Sequence, residues 1–441
     1  MRRFLLLAAA LGMIWPGSGG VEADLRRAVA EDYHRHLAPL FVHFHRHPEL
    51  SFREFETAAR LAEELRSLGI EVTEGVGGTG IVGVLRNGDG PRVLVRADMD
   101  GLPIAEDSGL EYASTARQVD ITGEEVPVMH ACGHDVHITA LVGTARRLVE
   151  LKRRWAGTVV FIGQPAEERI SGARAMLEDG LYERFGVPDY ALAFHVSAGD
   201  PAGKVSVDSG LIASSSDSVD IVVRGIGAHG ASPHKGKDPI YIASQIVVAL
   251  QGLVSRELSP LEPGVVTVGA FNGGFKHNII PDRVKLQLTV RSDSEETRGK
   301  LLEGIERIAA GVGRTAGLPD HLLPQVKRTT ESTPTTSNDE ALAERIRRAF
   351  LRELGEEALY EDQRLGMGAE DFAYFVGTEH QVPGVYFNVG GTAPEDLEAE
   401  EAGGPPVPSH HSPFFKIEPE PAVISGVHAM TVAVLELLGS D

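Results

Sequence analysis

The sequence predicts an α/β fold: a mixed, largely parallel sheet flanked by helices, interrupted by a smaller inserted α+β unit of ferredoxin-like order. Three observations predict it. Short apolar, β-branched runs at 93–95, 158–162 and 190–194 read as buried strands. Between the first two, Ile138, Leu141, Val142, Ala145, Leu148 and Val149 recur at helical spacing, with Arg146, Arg147 and Glu150 opposite. Strand, helix, strand implies parallel pairing. Near Ser215 the rhythm changes to a β-α-β-β-α series, which fits a separate unit. At 441 residues the chain also exceeds what one core usually serves.

Along the chain, Met1-Arg2-Arg3, an apolar run over 4–15 and the small-residue site Val21-Glu22-Ala23 read as a signal peptide spanning 1–23. A periplasmic or secreted protein is expected, without stable membrane association after cleavage, because the run is shorter than the roughly 20 residues a bilayer requires. His34, His36, His43, His45 and His47 read as a solvated helix face leading into Pro48, since no acid or thiol completes a metal site there. Gly75, Gly77, Gly78 and Gly80 lack the lysine and serine of a phosphate loop and read as a turn.

The first domain is expected over 24–213 and 325–441, and the inserted one over 214–324. The insert reads as a strand at 219–223, a helix at 240–253, strands at 265–271 and 284–290, and a helix at 301–312. The chain then returns with a helix at 340–353, a strand at 385–389 and a terminal helix at 422–438. The acidic, Pro/Gly-rich stretch 392–408 is expected to be an exposed loop.

A net charge of -21 argues against nucleic acid or anionic lipid, which require a basic surface, and favours small molecules. The only cysteine, Cys132, lies two residues from His134 in Met129-His130-Ala131-Cys132-Gly133-His134-Asp135-Val136-His137. A thiolate beside imidazoles suits a borderline-soft metal such as zinc, and one cysteine excludes disulfides and four-cysteine sites. Further polar residues follow the strands: Asp98 and Asp100, Glu167 and Glu168, then His195. In open α/β sheets such positions converge at the carboxyl ends of the strands. Within Gln164-Pro165-Ala166-Glu167-Glu168, one carboxylate can hold a metal while its neighbour acts as general base. Asp98 and Asp100 suit either a turn or the orientation of a ligand.

These motifs resemble the amidohydrolases of the dinuclear metallopeptidase superfamily that includes aminoacylases and glutamate carboxypeptidases. The branch is similar to hippurate hydrolases and plant indole-3-acetyl-amino-acid hydrolases. The resemblance runs from His45 to His428 through His45-Arg46-His47-Pro48-Glu49-Leu50, Arg96-Ala97-Asp98-Met99-Asp100, Ala131-Cys132-Gly133-His134-Asp135, Gln164-Pro165-Ala166-Glu167-Glu168, Ala228-His229-Gly230, Asn278-Ile279-Ile280-Pro281-Asp282, Gly368-Ala369-Glu370-Asp371-Phe372 and His411-Ser412-Pro413. It implies two divalent ions, zinc or manganese first and cobalt or nickel as alternatives, with Cys132 bridging and His134, Glu168, His195 and His411 as the other ligands. It further implies Glu167 as general base, a homodimer through the inserted lid, His229 reaching the partner's site, and Asn278 and Arg291 binding substrate. The implied reaction is hydrolysis of N-acyl-L-amino acids. The rivals are a carboxypeptidase or dipeptidase on the same fold and a non-catalytic zinc- or ligand-binding protein. Glu167 beside Glu168 disfavours the last, since a binder needs no base.

Overall fold

The computed structural model describes residues 19–362, 364, 366–377 and 380–439. The leader expected over 1–23 falls outside these residues, apart from backbone that is helical from Gly19. Helices α1 (Gly19–Asp32), α2 (Ala38–Arg46) and α3 (Phe55–Ser67) lead into strands β1 (Glu71–Val76), β2 (Gly80–Asn87) and β3 (Arg92–Asp98). Next come α4 (His134–Glu150), β4 (Gly157–Gln164), β5 (Tyr190–Pro201) and the short β6 (Val205–Ser206). The second unit comprises β7 (Ser215–Arg224), α5 (Pro239–Gly252), β8 (Gly264–Gly273), β9 (Arg283–Ser292), α6 (Glu295–Thr315) and β10 (Gln325–Thr333). The chain returns through α7 (Glu340–Glu353), β11 (Gly384–Thr392) and α8 (Pro419–Leu438).

The first sheet has seven strands in the order β1-β2-β4-β3-β5-β11-β6. Its centre is parallel: β3 pairs with β4 and β5, and β5 with β11. Alternate residues of β3 feed opposite cores, Val93, Val95 and Ala97 packing with α4 and α8 while Leu94 packs with Ile162 and Phe375. Burial on both faces is why these strands read as unbroken apolar runs. The second sheet, β8-β9-β7-β10, is antiparallel with α5 and α6 over one face, which is ferredoxin-like order.

Four expectations need correction. The insert extends past 324, because Gln325–Thr333 pairs with β7, Lys327 opposite Asp220. Its sequence, Gln-Val-Lys-Arg-Thr-Thr-Glu-Ser-Thr, carries one apolar side chain and so gave no strand signal. Of the stretch 392–408, Thr392 is buried at the end of β11 and 394–406 is mostly exposed, but Pro394–Glu401 is helical, with proline in the first turn and Glu395 and Asp396 complementing the helix dipole. Arg147 is buried: α8 covers the far side of α4, and Arg146 and Arg147 both bind Asp32, at 2.7 and 3.0 Å. His45 is likewise buried, its Nδ1 2.7 Å from Asp135 and its Nε2 3.1 Å from Glu106.

Candidate active site

The carboxyl ends of β3 and β4 lie level, Asp98 opposite Gln164, and His195 follows on β5 beside Asn388 of β11. Into this crevice comes the loop before α4. Gly133, at φ 81°, is the turning point, where a Cβ would sit 2.3 Å from Val196 Cγ1. Only glycine fits there without displacing β5. The turn places Cys132 and His134 on the same site, and the backbone N–H of His411 fastens the last loop to Ala131 O at 2.8 Å.

Cys132 is common to two donor sets whose atoms lie within 4.8 Å of one another, Cys132–His134–His195 and Cys132–Glu168–His411; His134–Glu167–Glu168 forms a third. His195 Nδ1 donates to Val196 O at 2.7 Å, so its Nε2 carries the lone pair facing Cys132 Sγ at 3.4 Å. His411 Nε2 stands 3.3 Å from Glu168 Oε2. Both ring nitrogens of His134 and Glu168 Oε1 are buried without a hydrogen bond. Buried polar atoms are rarely orphaned; His134 Nδ1 faces Asp100, whereas its Nε2 and Glu168 Oε1, beside a thiol, fit a bound cation. By contrast, Asp98 Oδ1 accepts from His137 Nδ1 at 2.5 Å and Val196 N–H donates to its Nε2 at 2.9 Å, so that ring is committed. His410 Nε2 accepts from Ala198 N–H at 3.1 Å, while its Nδ1 is buried without a hydrogen bond.

The electrostatics are anionic. Burial, then Glu370 and Glu168, push the Glu167 carboxyl well above its usual range. Burial, then Glu168 and Glu167, do the same to the Cys132 thiol. Burial alone would depress His134, yet Asp98 and Asp100, whose oxygens lie 3.6 and 3.4 Å away, hold it at about 10. Such an excess of negative charge in a dry crevice calls for cations.

Glu167 and Glu168 sit on a turn bracketed by Ala166 at φ 51° and Ile170 at φ 50°. Left-handed backbone at non-glycine residues costs about 1–3 kcal/mol each and persists only where surroundings enforce it. Asp100 accepts the Glu167 and Glu168 amides at 3.1 and 3.0 Å, and Glu54 accepts that of Ala166 at 2.8 Å. An orienting role for Asp100 is legible in the sequence, whereas that of Glu54 is not. Nor does the sequence assign a role to Arg96, which is fully buried and binds Asp98 and Glu370 at 2.7 Å and Gln164 at 2.7 Å, while Tyr386 donates to Glu370 at 2.6 Å. An arginine inside an apolar strand was the signal for this network.

His229 and Asn278 come together elsewhere. They lie on a small ribbon, Ala228–His229 against Ile279–Ile280, with Gly230 N–H donating to Asn278 O at 2.9 Å. Both are exposed, and among the described residues no hydrogen bond or ion pair joins either to the cluster. Arg291, half-buried on β9, donates to Met367 O at 3.1 Å. Burial lowers its pKa, and the Glu167 carboxylate opposes that.

A sheet whose parallel central strands end in imidazole, carboxylate and thiol donors beside a second buried glutamate defines a metallohydrolase. Residues 94–402 match the model of peptidase family M20/M25/M40, and the chain belongs to that family. It is 39% identical to the hippurate hydrolase of Campylobacter jejuni over 75% of this chain and 82% of that protein. It is 36% identical to thermostable carboxypeptidase 1 of Saccharolobus solfataricus over 84% of this chain and 88% of that protein. A solved Bacillus subtilis protein described as a dinuclear metal binding peptidase of the M20 family is 29% identical with a TM-score of 0.71, covering 93% of this chain and 100% of that one. The chain is therefore an enzyme, a hydrolase of this family.

Proposed function

We propose that this enzyme hydrolyses the amide bond of N-acyl-L-amino acids at a two-metal centre held by Cys132, His134, Glu168, His195 and His411. The observation that carries the reading is Cys132 shared between two donor sets, with Glu167 alongside Glu168. Divalent ions held there, zinc or manganese first and cobalt or nickel otherwise, would supply Lewis acidity toward the amide carbonyl. The protein's own residues do the rest. Glu167 takes a proton from the attacking water as its oxygen bonds to the carbonyl carbon, then delivers that proton to the nitrogen as the C–N bond breaks. Burial and the neighbouring carboxylates raise its affinity for a proton, which suits the first transfer, and cations held alongside would keep it ionised beforehand. Arg291 offers a substrate carboxylate the part of its guanidinium fork not used on Met367. Asn278 and His229 supply donors for substrate and oxyanion.

Because His229 is exposed and apart from its own chain's cluster, we assign it to the partner's site in a homodimer. The exposed Tyr241 and Val248, seven residues apart on α5, and the outer edge of β8, which pairs with no strand among the described residues, support a second copy on this face. Export to the periplasm or medium is proposed on the leader residues alone. A carboxypeptidase reading is favoured by the Saccharolobus relative. A substrate screen decides between them: the metal-reconstituted mature protein should cleave N-acyl amino acids faster than unblocked dipeptides and longer peptides, and the reverse order would establish the peptidase.

A further inference from the structure

We propose that Glu54 is a positioning residue, whose buried carboxylate holds the turn after β4 in the strained form that delivers Glu167 and Glu168 to the site. The inference rests on the roles given to those two glutamates above. Glu54 immediately precedes α3, more than a hundred positions away in the sequence, and is fully buried. Its Oε1 accepts the Ala166 amide at 2.8 Å and its Oε2 the Thr79 hydroxyl. Asp100, tied to Ser51 at 2.6 Å, accepts the next two amides. Three successive N–H groups therefore converge on two carboxylates from separate segments. Backbone of mixed right- and left-handed residues forms such concavities of N–H groups, and here the oxygens they face belong to the protein itself.

The geometry makes Glu54 the partner of the strained residue. Ala166 holds φ 51°, and its carbonyl accepts from Ser171 and Gly172 at 3.3 and 3.2 Å, so a change at Ala166 moves the whole turn. Gly172 is confined as well, since a Cβ there would overlap Pro165 O at 1.5 Å. Without Glu54, a buried amide loses its acceptor and Ala166 has less reason to remain left-handed. The turn then relaxes toward ordinary backbone, rotating the neighbouring glutamates away from Cys132 and His411. Glu54 acts through Ala166 and belongs to none of the donor sets.

The test compares Glu54→Ala, Glu54→Gln, and Glu54→Ala combined with Ala166→Gly, each checked for folding by circular dichroism. Affinity for Zn²⁺ or Mn²⁺ is read by competition with a chelator, and kcat and KM are measured separately. Glu54→Ala should lose about 10- to 100-fold in metal affinity, the usual scale for a residue that orients ligands, and lower kcat with KM nearly unchanged. Glu54→Gln keeps an oxygen for the Ala166 amide and should stay close to wild type. Adding Ala166→Gly should recover part of the loss, because glycine takes this φ without strain. A residue that merely fills the core would gain nothing from that second change. If Glu54→Ala does not fold, Glu54→Asp substitutes for it, retaining charge but drawing it back from Ala166. Wild-type metal affinity and kcat in the folded Glu54→Ala or Glu54→Asp variant overturn the proposal, as does a double variant no better than the single. Glu168→Ala is run alongside: if it keeps full metal content the site reading itself falls, whereas a depleted Glu168→Ala beside a normal Glu54→Ala overturns only the positioning role.

Discussion

Cys132 Sγ lies 3.4 Å from His195 Nε2, and the other nitrogen of that ring is spent on Val196 O at 2.7 Å. The hydrogen bond fixes the tautomer, so the free lone pair and the sulfur face one point. Cys132 is also buried, and its surroundings disfavour the bare thiolate. A thiol reagent should therefore label metal-loaded protein slowly and chelated protein faster, as removing the ion frees the sulfur. Mass spectrometry of the labelled chain over time checks this, and equal rates in two preparations shown to be folded would make Cys132 an ordinary core residue.

Mixing two inactive variants tests the shared site. A chain with His229→Ala keeps its own metals but fails its neighbour, while one with Glu167→Ala fails itself but still lends His229. Random exchange in a two-fold dimer should restore up to about a quarter of wild-type activity. Tagging one variant establishes that exchange has occurred. Inactive but confirmed heterodimers would return His229 to its own chain or remove it from the reaction.

His45 gives stability a pH dependence. Burial would depress it, but Asp135 and Glu106 raise it from 6.5 to about 9. A pKa raised on folding contributes stability that is fully present below the unfolded value and lost as pH rises through the folded one. Metal-free wild type should thus lose up to about 3 kcal/mol between pH 6.5 and pH 9 that His45→Asn does not lose. Urea unfolding of both across that interval provides the comparison. Parallel stability curves would show that the buried pair does not titrate this way.

Much of this architecture is legible before folding. Strands buried on both faces announce themselves, and α7 begins and ends where its apolar spacing does. The cluster was readable too, because Asp98, Glu167 and His195 each follow an apolar run and strand ends converge. What stayed hidden depends on partners distant in sequence. Glu54 looks like any surface glutamate until Ala166 lies beneath it. His45 looks solvated until Asp135 and Glu106 close around it. β10 is a polar edge strand defined by its pairing with β7, which no local periodicity encodes.

The central claim is that Glu167 moves protons while Glu168 and its companions hold metal. Elemental analysis and steady-state kinetics on the same preparation of Glu167→Ala test it most directly. The account predicts two divalent ions per chain, as in wild type, with turnover lowered at least about a hundredfold, the scale of losing a positioned general base. Wild-type turnover with full metal content would contradict it.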